Sequence, residues 1–109
     1  MTTAAQRKGD KAEREVRSMI AEHLGIDAPR LRAGATIDVG DLRIPGCVIE
    51  VKSYDDFGRA VRDGITESVA EQTNAGTPFG AAFIRRRGGT WVVALTPEQF
   101  FALYREATA

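Results

Sequence analysis

Val16, Met19, Ile20 and Leu24 recur at spacings of three and four, which puts them on one face of a helix. The pattern predicts a first helix over residues 4–24, closed by Gly25 where helices commonly end in a left-handed residue. Residues 30–33 read as a short strand. Residues 41–44 and 47–53 read as two more, joined by the Pro45-Gly46 turn. A second helix is predicted over 57–74, with Phe57, Val61, Ile65 and Val69 as its apolar stripe. Asp55 or Asp56 is available as its N-cap, and Gly76 lies past its end. Residues 79–84 form a nearly continuous apolar run, as in a strand covered on both faces. Gly88-Gly89 turns this run into a strand over 90–95. Thr96 and Gln99 then stand at capping-box spacing, with Pro97 at the first position of a last helix.

The expected order is α-β-β-β-α-β-β-α. Residues 47–84 have the length of a strand–helix–strand unit, whose two strands run parallel. The fold class that follows is α/β, a mixed sheet flanked by helices, in a single domain over residues 1–109.

Composition narrows the setting. The one cysteine, Cys47, excludes an internal disulfide framework and fits a reducing cytoplasm. No stretch approaches the ~20 apolar residues of a membrane span, and the polar, charged start is unlike a secretory signal. Fifteen Lys and Arg balance fifteen Asp and Glu, which argues against a surface that is basic all over. The basic residues are nevertheless grouped, as Arg7, Lys8, Lys11, Arg14 and Arg17, as Arg30 and Arg32, and as Arg85, Arg86 and Arg87. A nucleic-acid face would therefore have to be local.

The segment from Cys47 to Ser53 carries the chemistry. Alternation along a strand puts Val48, Glu50 and Lys52 on one face, and Cys47, Ile49 and Val51 on the other. A strand entering a parallel crossover is covered on both sides, and a buried carboxylate there needs a partner or a metal. A Glu50–Lys52 ion pair is the simplest partner. If Pro45-Gly46 is a two-residue turn, Ile44 pairs with Cys47 and Asp41 falls opposite Glu50. Two facing carboxylates repel unless a hard cation such as Mg²⁺ joins them. Asp38, the competing acid, would lie opposite Ser53 on the other face. Glu13 adds an acid on the apolar side of the first helix, either as a site residue or as a side chain reaching out to water. Gln72 reads as a satisfied amide near a helix end, His23 as a complement to a helix C-terminus, and Cys47 as a small core residue. Trp91, Phe100, Phe101 and Tyr104 read as core or dimer surface.

The run Arg7-Lys8-Gly9-Asp10-Lys11-Ala12-Glu13-Arg14-Glu15 resembles the R-K-G-x-x-x-E-R-E opening of archaeal-type Holliday-junction resolvases, nucleases of the PD-(D/E)XK superfamily. Asp41-Leu42 and Ile49-Glu50-Val51-Lys52 resemble their later D-hydrophobic and I-E-V-K segments. Glu71 to Gly76 and the Arg85-Arg86-Arg87-Gly88 run are similar to small resolvase-like proteins of actinobacteria and their phages. The resemblance covers residues 7–95, and it departs from the family where Asp38-Val39-Gly40-Asp41 replaces Pro-Asp.

It implies a restriction-endonuclease-like core and a cytoplasmic, metal-dependent endonuclease that acts on branched DNA in recombination or phage genome processing. It implies Glu13, Asp41 and Glu50 as acids of the active site and Lys52 as the motif lysine. Asp41, Glu50 and the Val51 carbonyl would hold Mg²⁺ or Mn²⁺. Arg7, Lys8 and Lys11, just ahead of Glu13, are the expected phosphate contacts, and the family's members are homodimers. Two alternatives stand beside a junction resolvase. One is another DNase of the same fold, structure-specific or nonspecific. The other is a non-catalytic DNA-binding or scaffold dimer.

Overall fold

A computed structural model describes residues 3–29 and 41–109. The strand expected at 30–33, Asp38, Arg30 and Arg32 lie outside the described residues. Within them the order is α1 (Ala4–Leu24), β1 (Leu42–Ile44), β2 (Cys47–Lys52), α2 (Phe57–Ala75), β3 (Phe79–Arg85), β4 (Trp91–Ala94) and α3 (Pro97–Ala107). The fold is α/β, α-β-β-α-β-β-α, around a four-stranded mixed sheet in the order β1-β2-β3-β4. The central pair, β2 and β3, is parallel, and both edge strands are antiparallel to their neighbours. None of the helices described is long and apolar enough to cross a membrane.

Local chemistry places the ends of the helices. Thr3 and Gln6 cap α1 reciprocally, and Gly25 closes it at φ 67°. Asp56, the second of the two candidates, caps α2 through the Arg59 amide, and Gly76 closes that helix, also at φ 67°. Thr96 and Gln99 form the expected capping box of α3 behind Pro97. The Pro45-Gly46 turn holds the expected hairpin register, Ile44 with Cys47 and Leu42 with Ile49. Gly46 takes φ 78°, the left-handed position that a proline-led type II turn requires. Its carbonyl also accepts from the Phe79 amide, which ties the turn to β3.

The two faces of the sheet are built differently. Ala12, Val16 and Ile20 of α1 bury against Leu42, Ile49 and Val51 in an apolar core, with Cys47, Phe83 and Trp91 packed around it. Each large side chain buried there contributes about 1.5–3 kcal/mol. Glu15 ties this helix to the sheet, accepting from Arg85 Nε at 3.1 Å and Trp91 Nε1 at 3.2 Å.

On the other face α2 is rotated from its expected apolar stripe, of which Val61 still packs against Ala60, Ala82 and Ile84. Its buried residues are Ala60, Gly64, Ser68 and Glu71, whereas Phe57 and Val69 are each 40% exposed. The reason is close approach. A Cβ on Gly64 would sit 2.8 Å from Ile84 Cδ1 and 3.0 Å from Ala82 Cβ, so only a small-residue face lets the helix lie this near the strands. Phe100, Phe101 and Tyr104 of α3 are exposed, which removes them from the core.

Gly64→Ala is expected to destabilise the protein by about 1–3 kcal/mol through overpacking, despite the helical preference for alanine. Gly9→Ala, where nothing lies within 4 Å, is expected to stabilise it by about 0.5–1 kcal/mol. Urea unfolding of the two variants checks this; equal shifts of the same sign would refute the close approach.

Candidate active site

β2 is buried on both faces, so its inward charges must be met by the elements around them. Glu50 is 4% exposed, and its Oε1 lies 3.2 Å from Lys52 Nζ. Lys52 Nζ also holds Glu67 Oε2 at 2.8 Å, across the gap to α2. Glu71, one turn further along α2 and 1% exposed, meets Glu50 in a carboxyl–carboxyl hydrogen bond, which requires a shared proton. Oxygens of Glu50, Glu67 and Glu71 all lie within 4.8 Å of one another, a cluster that could hold a metal ion. Among the described residues, no backbone N–H, hydroxyl, amide or cationic group donates to the buried Glu50 Oε2.

The electrostatics follow from this crowding. Burial pushes the Glu50 carboxyl up to about 11; the hydrogen bond to Glu71 and the charges of Asp41 and Glu71 push the same way, and Lys52 opposes them. Burial alone would lower Lys52. Its hydrogen bond to Glu67 and the negative charges beside it outweigh that and hold it above the ordinary lysine range. Lys52 is therefore an ammonium at neutral pH in this arrangement and is not poised as a base. With Glu50 protonated, Glu67 is its charge partner.

Asp41 stands where β1 leaves the ladder. Its amide donates to the Ile49 carbonyl at 3.2 Å, and its Oδ2 accepts from the Val51 amide at 2.8 Å. The carboxylate thus takes a donor that a regular strand would satisfy with backbone. Asp41, Glu50, Val51 and Lys52 are brought to one end of the β1–β2 hairpin, and the charge of Asp41 reaches Glu50. The tight acidic cluster, however, joins Glu50 to α2 and does not include Asp41. Glu13 is half-buried on α1, which packs on the opposite, Ile49 and Val51, face of β2. The groups that shift Glu50 do not include it. Arg7 and Lys11 are exposed on α1, while Lys8 reaches Asp55 at 2.7 Å.

The sequence pattern assigned Glu67, Ser68, Glu71 and Gln99 no place in the site. Gln99 is 5% exposed and donates to Ser68 Oγ at 3.3 Å and to Gln72 Oε1 at 3.1 Å. Gln72 in turn donates to the Pro78 carbonyl at 3.1 Å, which makes it the satisfied amide expected. This network anchors the stretch of α2 that carries Glu67 and Glu71. The available signal was the second stripe of α2, Ala60-Gly64-Ser68-Glu71 at helical spacing, set against a strand face that needed polar partners. Cys47 packs on the α1 side, and burial pushes its thiol up to about 11, so it is inert.

No family model, curated protein or solved structure matches this chain. The geometry stands without a family.

The raised pKa of Glu50 has a sign for stability. The unfolded carboxyl titrates near ~4.3, so from there up to about 11 the folded state keeps a proton that the unfolded state loses. Stability contributed at low pH is therefore lost as pH rises. In EDTA, Glu50→Gln is expected to be more stable than wild type at pH 8, by about 1–3 kcal/mol, and to show a flatter pH dependence. Urea unfolding at pH 5 and pH 8 measures it; identical pH dependences would show that Glu50 is not held protonated.

Proposed function

We propose that this chain is a metal-dependent endonuclease with a restriction-endonuclease-like core, hydrolysing DNA phosphodiesters and acting on four-way junctions. The observation that carries the reading is Glu50 Oε2, buried beside other carboxylates with no backbone, hydroxyl, amide or cationic donor among the described residues. Folding has no use for such crowding, whereas a divalent cation turns the repulsion into coordination. The donor set is all oxygen, which fits Mg²⁺ or Mn²⁺. Asp41, Glu50 and the Val51 carbonyl are the proposed ligands, and Glu71 stands next to Glu50 as a further one. A cation so held polarises a phosphoryl group and acidifies a bound water.

The remaining work falls to side chains. Lys52, an ammonium on the Glu50 face, places positive charge where negative charge grows on the phosphoryl oxygens. Glu67 fixes its direction. Glu13, on the α1 side of β2, stands apart from this set. Arg7, Lys8 and Lys11 precede it as phosphate contacts, which carry affinity but no sequence information. A branched substrate with two-fold symmetry suits a homodimer that sets one site against each strand.

One observation favours a non-catalytic DNA-binding scaffold. The Lys52 ammonium already bridges Glu50 and Glu67, and Asp41 already caps a backbone amide, so the charges have an internal account.

Cleavage of labelled four-way junction, flap and linear duplex DNA in Mg²⁺ or EDTA, by wild type and Glu50→Gln, separates the readings. The expected result is symmetric, metal-dependent junction cutting, reduced by at least about a hundredfold in the variant. Metal-dependent cutting of every substrate would leave a general DNase of this fold. No cutting in Mg²⁺ or Mn²⁺, by protein that binds DNA, would leave the scaffold.

A further inference from the structure

The end of the sheet beyond Lys52 carries a second feature. Lys52 and Tyr54 are alternate positions along the chain leaving β2, and the Tyr54 ring lies 5.5 Å from Lys52 Nζ and 4.7 Å from Arg59 Cζ. Tyr54 and Asp55 line two adjoining clefts. One, of about 640 Å³, runs past Lys8 and Gly9 at the start of α1 and Arg59 at the start of α2. The other, of about 350 Å³, is walled by Phe57 and by Arg85, Arg86 and Arg87 at the end of β3. Both open at the carboxyl ends of the parallel strands β2 and β3, where α/β sheets commonly receive ligands.

The charges of this groove are unequal. Asp55 is held by Lys8 at 2.7 Å and lies in the field of Arg87; Asp56 is spent on capping α2; Arg85 is paired with Glu15. Arg86 and Arg87 have no carboxylate within 4 Å among the described residues. Arg86 lies over the Phe57 ring, its guanidinium 5.6 Å from the ring centroid. A guanidinium laid over a ring keeps its N–H edges for planar, bidentate contact with phosphate. The tip that carries these arginines is held by backbone: Arg86 donates to Thr90 at 2.8 Å, and Gly89 to Arg86 at 3.2 Å. Gly88 and Gly89 supply the turn at φ 82° and 81°. The cations are thus presented by a closed turn in a cleft whose Tyr54 wall lies 5.5 Å from Lys52 Nζ.

We propose that this groove carries the phosphodiester backbone of the DNA strand leading to the Glu50–Lys52 site, with Arg86 and Arg87 as its phosphate grips and Tyr54 as its floor. The inference rests on the proposed nuclease reading and names where that site's substrate runs.

The test is equilibrium binding of fluorescein-labelled junction and duplex DNA by the full chain in EDTA, followed by anisotropy across a range of NaCl concentrations. Arg86→Ala/Arg87→Ala is expected to weaken binding by about tenfold or more and to lower the slope of log K against log salt by about 1.8, as two lost phosphate contacts require. Arg86→Lys/Arg87→Lys, which keeps the charge, should recover most of the slope. Arg62→Ala, an exposed position on α2 outside both clefts, should change neither quantity. Circular dichroism melting confirms that each variant is folded. Wild-type affinity and slope in the double Ala variant, with DNA still bound and cut by wild type, would overturn the groove and leave the nuclease. Absence of DNA binding by wild type would overturn both.

Discussion

The cluster of Glu50, Lys52, Glu67 and Glu71 occupies the place where a protein of this size would ordinarily put apolar side chains. Taking charges out of water costs several kcal/mol each unless they are paired, and three carboxylates around one ammonium cannot all be paired as anions. The protein answers with a shared proton between Glu50 and Glu71 and with a lysine held firmly charged by Glu67. The approach of α2 to β2 is arranged around this constraint, beside a small apolar cluster of Ala60, Ala82 and Ile84. Ala60, Gly64 and Ser68 bring α2 close enough for its two glutamates to reach β2.

The larger apolar contribution comes from the α1 face, with Val16, Ile20, Leu42 and Ile49 in an apolar cluster that asks nothing of water. The α2 face adds a smaller one in Ala60, Ala82 and Ile84. The division between a face that stabilises and a face that stores unfavourable charge is common where a site must be rigid but poised. α3 contributes less by burial than by anchoring. Its capping residue Gln99 is also the donor that reaches Ser68 and Gln72 on α2. One side chain thus joins the start of one helix to the helix that carries Glu67 and Glu71.

The elements were legible because their signals are local. Thr96 with Gln99, Gly25, Gly76 and the Pro45-Gly46 turn each act within a few residues, and each lies where its chemistry predicts. The parallel pairing of β2 and β3 followed from the length of chain between them. Hydrophobicity alone points to the Phe57–Val69 line of α2, whose two ends stay exposed. Distance of approach decided the buried face instead: Phe57 and Val69 are too large to lie where Gly64 lies. The α2 half of the candidate site went unseen with it, since Glu67 and Glu71 matter only once that stripe faces β2.

The sequence by itself determined the order of the elements within the described residues, the register of the first hairpin and the presence of Glu50 and Lys52 on one face of a covered strand. Caps, turns and alternation are short-range, and nothing distant is needed to enforce them. Only the tertiary structure decided what those two charges meet. The partner of Lys52 lies fifteen residues on, and that of Glu50 twenty-one, across a gap whose width depends on the side chains of Gly64, Ala82 and Ile84 together. A pKa near 11 and a lysine held charged are properties of that gap, because burial and neighbouring charge act through space and not along the chain.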